Sequence, residues 1–515
     1  MMKKIVFISF IIHLFLISSV SAVPAYPMRC TLHLADGTTV SATLRGDEYC
    51  HYYTDDEGNC YQQAEGGIAL PVTFQHLQAQ RSANARRRQH QPRISTLTTT
   101  FQPRLATANI GQKRGLVILV EFSDYPMVTE NSQQEFDRLF NEEGYSKNRH
   151  MGSVRDYFRD QSYNQLTIDF DVVGPYRLPH EMSYYGKNKE DGFDLRPGTM
   201  AAEACLLANR DVNFRQYDWN KDGAVDQVFI IYAGYSESWG APSTTIWPHK
   251  WQISESEYNK ALRLDGVVVD TYACGSELRN ASGKVMDGIG TAAHEFSHCL
   301  GLYDFYNTDS NASSFGMGNW SILDNGCYNG PIGYEGNVPA AYTAYERYYV
   351  GWLQPTPLDR PAVINGLLPI TQQPQAYIIR NPGNPDEFFM LENIQKTSWN
   401  TYADGHGMLV THIDYDAEVW EENRVNADPS HQRYTIVPAD NALIHSAYSN
   451  AGDPYPGTRA NWSLTDSTKP ALRLYSPSDD GSYRLNYQIE NIQEASNGTI
   501  SFIFNGGAPV IAFHR

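Results

Sequence analysis

After Val20 the sequence has no apolar run approaching the ~20 residues that a helical membrane span needs, so stable membrane insertion is not expected. Basic charge is scarce. Forty Lys and Arg against 58 Asp and Glu leave a net charge of -18, a poor balance for gripping phosphate backbones, so no nucleic-acid partner is expected. There is no tandem repeat, no low-complexity tract, no Gly-x-Ser-x-Gly elbow and no phosphate-cradling glycine loop to offer a competing mechanism. Cysteines are few and odd in number: Cys30, Cys50, Cys60, Cys205, Cys274, Cys299 and Cys327. One is left over from any full pairing, and spacing alone does not give the pairs.

What is present points to a folded, exported chain. Hydrophobic residues at 41% and charged residues at 19% sit near the globular average, which rules out a wholly disordered or fibrous chain. Its 515 residues suggest two to four folded units. The 34 tyrosines suit a β-rich, secreted protein. Met1-Met2-Lys3-Lys4, the apolar run Ile5 to Val20 and the small pair Ser21-Ala22 form a secretory signal, with cleavage expected after Ala22. The run is short for an anchor and His13 interrupts it, and Cys30 lies too far on to be a lipid-attachment cysteine. A secreted or periplasmic/extracellular location follows, and export permits disulfides.

Four segments are expected: a signal peptide at 1–22, a propeptide with a basic linker at 23–109, a catalytic unit at 110–358 and a β-rich unit at 359–515. In the propeptide, Thr31 to Leu34, the Asp36-Gly37 turn and the alternating Thr39 to Leu44 read as short strands. From Arg81 to Arg93 there are five Arg and no acid, followed by Ser95 to Thr100, which predicts an exposed, flexible linker. Arg86-Arg87-Arg88 on such a linker suits an activating Arg-specific protease. The central unit alternates strands and helices: buried strands at Leu116 to Val120 and Val228 to Tyr232, a half-buried strand at Leu166 to Val173, and helices at Val154 to Tyr163 and Thr291 to Leu302. Beyond 359 the pattern turns all-β, as in a sandwich.

His294-Glu295-Phe296-Ser297-His298 carries the chemistry. Positions i and i+4 share a helix face, so both imidazoles can reach one zinc ion. Glu295 would act as general base towards a zinc-activated water and pass the proton to the leaving amine. Gly301 lets the helix end in a sharp turn, and Asp304 can return a third ligand, in the longer zincin pattern with Asp in place of its last His. A second constellation, Asp218, Asn220, Asp222 and Asp226 with Gly223 after the third, resembles the first half of a calcium loop, and a structural calcium ion is expected there. The lone His249 and His412 are read as hydrogen-bonded structural residues, and Cys299 as packing or half of a disulfide.

The chain resembles the secreted immune-inhibitor-A-like metalloproteases, in particular those of Bacteroidetes. The resemblance is carried by Gly152 to Phe158, Val172 to Pro175, Tyr232 to Tyr235, Ile289-Gly290-Thr291 before His294, Glu346-Arg347 with Gly351-Trp352, His412-Ile413-Asp414, and Gly452 to Gly457. It implies an α+β, zincin-like (metzincin-type) catalytic domain, a latent zinc endopeptidase precursor, zinc ligands His294, His298 and Asp304, and Glu295 as the catalytic glutamate. It also implies a Met in the turn below the zinc. Here Leu323 of Trp320 to Asp324 holds that place, and Met317 is out of register. Glu346, on an expected helix from Ala340 to Tyr349, is the rival third ligand. Latency has two readings: a thiolate from Cys30, Cys50 or Cys60 on the open zinc position, or a propeptide disulfide together with steric blockade. Tyr328 is a candidate contact for the developing oxyanion.

The expected activity is zinc-dependent hydrolysis of extracellular proteins or peptides. The alternatives are a non-catalytic adhesin or glycan-binding protein on the same scaffold, against which the intact Glu295 argues, and a zinc hydrolase of some other amide.

Overall fold

The computed structural model describes residues 21–64, 67–88, 100–101, 109–189, 192–308, 315–444 and 446–505. The expected signal run up to Val20, and the linker from 89 to 99, lie outside the described residues. No helix among the described residues is long and apolar enough to cross a membrane.

Five short strands, β1 (Arg29–Leu34), β2 (Thr39–Asp47), β3 (Cys50–Thr54), β4 (Cys60–Gln63) and β5 (Ile68–Val72), form a closed barrel. Successive strands pair antiparallel, and β1 pairs parallel with β5 to close it. Leu32, Ala42, Leu44, Tyr53, Tyr61 and Ala69 fill this core together with Trp247 of the following unit, so the barrel is seated on that unit.

The basic run departs from the expected linker. Helix α1 (Phe74–Arg88) carries it as far as Arg88. Arg81 is 1% exposed, with its guanidinium in a two-pronged pair on the Asp47 carboxylate of β2. A buried, planar, bidentate pair of this kind fixes the helix against the barrel. Composition could not reveal it, because the partner carboxylate lies 34 residues upstream.

The central unit is built on a mixed sheet of β6 (Gly111–Glu121), β7 (Leu166–Arg177), β8 (Val228–Tyr232), β9 (His249–Gln252) and β12 (Thr271–Ser276), in the order β7-β6-β8-β12-β9. All pairs are parallel except β12 with β9, so β9 is an antiparallel edge. β10 (Leu262–Leu264) and β11 (Val267–Val269) form a separate hairpin. Strand β6 has apolar residues on both faces because both faces are covered. Val117 and Leu119 point into one core; Leu116, Ile118 and Val120 point into the other. Helices α2 (Ser132–Asn141), α3 (Val154–Gln161), α6 (Ile289–Cys299) and α7 (Ala344–Tyr349) supply the first core, while α4 (Met182–Gly186) and α5 (Pro197–Ala208) supply the second. A capping box between Ser153 and Asp156 starts α3 one residue before Val154.

Beyond residue 355 two sheets share a further core. One has the order β13 (Thr356–Pro357), β15 (Tyr377–Asn381), β16 (Asn384–Ile394), β17 (Gly407–Asp414), β18 (Tyr434–Ile436). The other has the order β14 (Ala362–Leu367), β21 (Ile500–Phe504), β20 (Gln488–Glu494), β19 (Leu464–Thr465). Two short helices, α8 (Ala417–Glu421) and α9 (Ala447–Asn450), lie in the connections. Strand alternation divides β16 cleanly. Phe389 and Leu391 face the second sheet, and Phe388 and Met390 face the central unit's first core. All seven cysteines are free thiols, so neither a propeptide disulfide among Cys30, Cys50 and Cys60 nor one at Cys299 is formed.

Candidate metal centre and its cleft

Helix α6 lies deep in the central unit, and Gly290 makes that depth possible. A Cβ there would sit 1.9 Å from the Cys327 carbonyl oxygen. One turn further on, His294 and Glu295 are fully buried and His298 is 5% exposed. The i, i+4 spacing brings the two Nε2 atoms to 3.1 Å. Gly301 then adopts φ +97°, a left-handed conformation that favours glycine, and its N–H closes on the His298 carbonyl at 3.0 Å. The reversed chain returns Asp304, whose Oδ1 lies 3.2 Å from His294 Nε2 and 3.3 Å from His298 Nε2.

Each ring is oriented from behind. His294 Nδ1 faces the Ile322 carbonyl at 2.8 Å and His298 Nδ1 faces the Leu302 carbonyl at 3.0 Å. A carbonyl accepts only, so each Nδ1 carries the proton and each Nε2 presents a lone pair. Burial lowers the basicity of His298, which keeps it in the neutral form that ligates. For Asp304, burial alone would raise the carboxyl; a positive charge beside it, such as a protonated His298 or His294, outweighs that and holds the group well below the usual range. Three acceptors therefore converge with no donor among them, and Asp304 Oδ1 has no hydrogen-bond donor among the described residues. A tetrahedral zinc site with bonds of about 2.0–2.1 Å has ligand–ligand edges of about 3.3 Å. The measured edges of 3.1, 3.2 and 3.3 Å fit it. Among the described residues this is the only group of three His, Cys, Asp or Glu whose ligand atoms lie within 4.8 Å of one another.

Glu346, the rival for the third position, is occupied elsewhere. Its Oε2 accepts the Thr343 N–H at 2.7 Å in the capping box of α7, and its Oε1 accepts the Ser321 hydroxyl. Leu323 is fully buried, next to Ile322 whose carbonyl faces His294, and its own carbonyl accepts the Phe305 N–H at 2.9 Å. No sulfur belongs to the ligand group among the described residues, which leaves the thiolate reading of latency without a geometric basis.

Two features escaped the sequence reading. The first is Asn423, just after α8. Its Oδ1 accepts the Asp304 N–H at 2.8 Å, and its Nδ2 donates to Asp304 Oδ2 at 2.6 Å. The second is the segment 21–26, which runs through the cleft. Ser21 and Lys250 of edge strand β9 exchange both backbone hydrogen bonds, at 3.2 and 2.7 Å. The Val23 N–H donates to Glu295 Oε1 at 2.9 Å, whereas Glu295 Oε2 has no donor among the described residues. Burial pushes the Glu295 carboxyl well up, and the nearby Asp304 charge adds to the shift. Tyr306 donates to the Ala22 carbonyl at 2.9 Å, Trp247 to that of Val23 at 3.0 Å, and Tyr328 to that of Pro24 at 2.7 Å. Tyr328 thus meets a backbone carbonyl in the cleft, one residue beyond Val23.

The Asp218 to Asp226 loop turns back on itself through its own amides. Asp218 accepts from Asp222 and Gly223 N–H at 3.2 and 3.0 Å, Asn220 from Asp222 at 2.9 Å, Asp222 from Ala224 at 2.9 Å, and Asp226 from Trp219 at 2.5 Å. Burial, with Asp222 and Asp218 adding charge nearby, raises the Asp226 carboxyl to about 6. His249 bonds the Trp247 carbonyl at 2.7 Å and the Tyr272 hydroxyl at 2.8 Å. His412 pairs with Glu387 at 2.9 Å and stacks between Phe389 and Tyr475. Both histidines are structural.

The chain is similar to proteins named as metalloproteases. The chain is similar to the pre-pro-metalloprotease PrtV of Vibrio cholerae serotype O1, with 25% identity over 287 residues, covering 48% of this chain and 31% of that protein. It is similar to immune inhibitor A of Bacillus thuringiensis subsp. alesti, with 23% identity over 290 residues, covering 49% of this chain and 41% of that one. A secreted metallopeptidase, so named as putative, of Arthroderma benhamiae is 23% identical over 354 residues, covering 59% of this chain and 49% of that protein. The chain thus spans about a third to a half of the length of these relatives. Residues 105–353, which hold the buried His294, Glu295, His298 and Asp304, match the model of the immune inhibitor A peptidase M6 catalytic domain.

Proposed function

We propose that the chain is an exported zinc endopeptidase made as a latent precursor, with His294, His298 and Asp304 holding the metal. The observation that carries this reading is the triangle of three buried lone pairs with edges of 3.1–3.3 Å, beside the buried carboxylate of Glu295. When bound, zinc supplies a Lewis acid for the peptide carbonyl and acidifies water.

The chain's own residues do the rest. Strand β9 offers an open edge on which an extended substrate can add as a further strand. Tyr306, Trp247 and Tyr328 donate to successive backbone carbonyls and fix the register. Glu295 takes the proton of the attacking water on one carboxylate oxygen and delivers it to the departing amide nitrogen. Its buried position raises its proton affinity, so it can hold the proton between the two transfers.

In this reading residues 1–22 are a signal, 23–109 a propeptide, 110–358 the catalytic unit and 359–515 a supporting β-unit. The substrates are proteins or peptides outside the cell, and an Arg-specific protease activates the precursor near Arg86 to Arg88. The 218–226 loop takes a structural calcium ion, which would relieve the crowding of Asp226 by Asp218 and Asp222. A calcium-dependent rise in melting temperature that Asp222→Asn removes is its test.

The peptidase reading is tested with activated, zinc-loaded protein on casein, with Glu295→Gln as control. Cleavage by the wild type and at least a ~10³-fold loss in a variant that still binds zinc is the expected result. Equal inertness of both, with zinc bound, overturns it.

A further inference from the structure

We propose that the chain's own residues 21–26 lie in the cleft as a substrate lies, with the Ala22–Val23 amide at the reacting position, and that removal of the leader at this bond leaves Val23 as a product-like plug on Glu295. The inference rests on the peptidase reading and adds the occupant, its register and its origin.

Register comes from the hydrogen bonds. Ser21 pairs antiparallel with Lys250 on the sheet's open edge, as an added strand does. In amide hydrolysis the general base must reach the nitrogen that departs. The nitrogen at Glu295 is that of Val23, 2.9 Å from Oε1. Ala22 therefore stands on the acyl side, and Val23, Pro24 and Ala25 on the amine side. The flanking carbonyls are held by Tyr306, Trp247 and Tyr328 of the central unit, and the Tyr26 N–H donates to the Ser238 carbonyl at 2.8 Å. Ala22 and Val23 are fully buried.

The same bond is the one at which the secretory signal is expected to end. Its hydrolysis by a leader peptidase consumes one water, breaks the Ala22 C–N bond, and leaves a carboxylate on Ala22 and an amine on Val23. That amine keeps Glu295 Oε1 as acceptor. It also has N–H bonds to spare for Oε2, which has no donor among the described residues. Removing the leader would then leave the cleft shut. The plug is tied to the barrel, since Ala25 N–H donates to Gly46 at 2.8 Å and Leu44 N–H to Met28 at 3.1 Å. Opening then requires the barrel to leave, and the cut proposed near Arg86 to Arg88, at the end of α1, would release it.

The test uses the full-length secreted chain. Its N-terminus is read by mass spectrometry, and acylation of the Val23 α-amine is followed by peptide mapping in the latent protein and after proteolytic activation. Val23 should be the first residue, and its amine should react roughly tenfold or more slowly in the latent protein than after activation. In parallel, the hexapeptide Val-Pro-Ala-Tyr-Pro-Met is titrated into activated enzyme by calorimetry and against casein cleavage; it should bind and compete, and a permuted peptide should do neither. A different first residue, an amine equally reactive in both forms, or a hexapeptide that neither binds nor competes while casein is cut, overturns the proposal. Failure to cut casein with zinc bound defeats the peptidase reading instead, and the acylation arm still decides the plug.

Discussion

Asp304 and Asn423, 119 residues apart, hold each other through reciprocal hydrogen bonds: backbone N–H to side-chain oxygen at 2.8 Å, and side-chain amide to carboxylate at 2.6 Å. Asn423 thus fixes which Asp304 oxygen faces the two imidazoles. Groups that orient a metal ligand typically contribute about 10–100-fold in affinity. Asn423→Ala should weaken zinc binding by about that factor, measured by competition with a chromogenic chelator. Unchanged affinity would remove Asn423 from any positioning role.

The reversal at Gly301 is the second determinant of the triangle. With φ at +97°, alanine there is strained by about 1–3 kcal/mol. Gly301→Ala should lower both the melting temperature and the affinity for zinc. Gly301→Asn should fall between, because asparagine tolerates left-handed backbone better. Paired thermal melts and metal titrations of the two variants check the order.

Removing the metal leaves three lone pairs facing one another in a buried site. A ligand present at about 1,000 times its Kd stabilises by about 4 kcal/mol. Chelation should therefore lower the melting temperature of the latent precursor and abolish cleavage by the activated form. Zinc should restore both and magnesium neither, since magnesium prefers six oxygen ligands. Restoration by magnesium alone would contradict the zinc assignment.

Glu392 gives a pH dependence separate from the metal. It is 1% exposed, accepts the Ala344 N–H at 3.0 Å, and burial pushes its carboxyl up to about 8. The unfolded value is about 4.3, so between these values the folded chain binds more protons than the unfolded one. The stability from this group is full below pH ~4.3 and is lost as pH rises through about 8. Glu392→Gln should match the wild type near pH 5 and be more stable at pH 8, by roughly 1–3 kcal/mol. Chemical unfolding at the two pH values reads the difference.

Local patterns carried much of this into the sequence. Five consecutive apolar residues at Val228 to Tyr232 became a strand with those bounds, and the helix expected from Val154 starts there, though it ends at Gln161 and not at Tyr163. The His294 and His298 spacing needs only a helix to become a shared face. What stayed hidden depends on partners far along the chain. Arg81 looked like part of a solvated charge run until Asp47 was found beneath it. Asn423 is an ordinary asparagine in sequence, and Asp304 alone gives it meaning. Residues 21–26 sit where a leader ends, and no periodicity signals that they thread a cleft.

Composition changes near residue 358, yet folding does not respect that line. Phe388, Met390, Ile413 and Tyr434 are set into the same core as Phe296 of the metal-bearing helix. A recombinant fragment trimmed at 358 would present a bare greasy wall to solvent and lose the brace on Asp304 together. Anyone wishing to shorten this protein should cut from the other end, where the proposed propeptide barrel would come away.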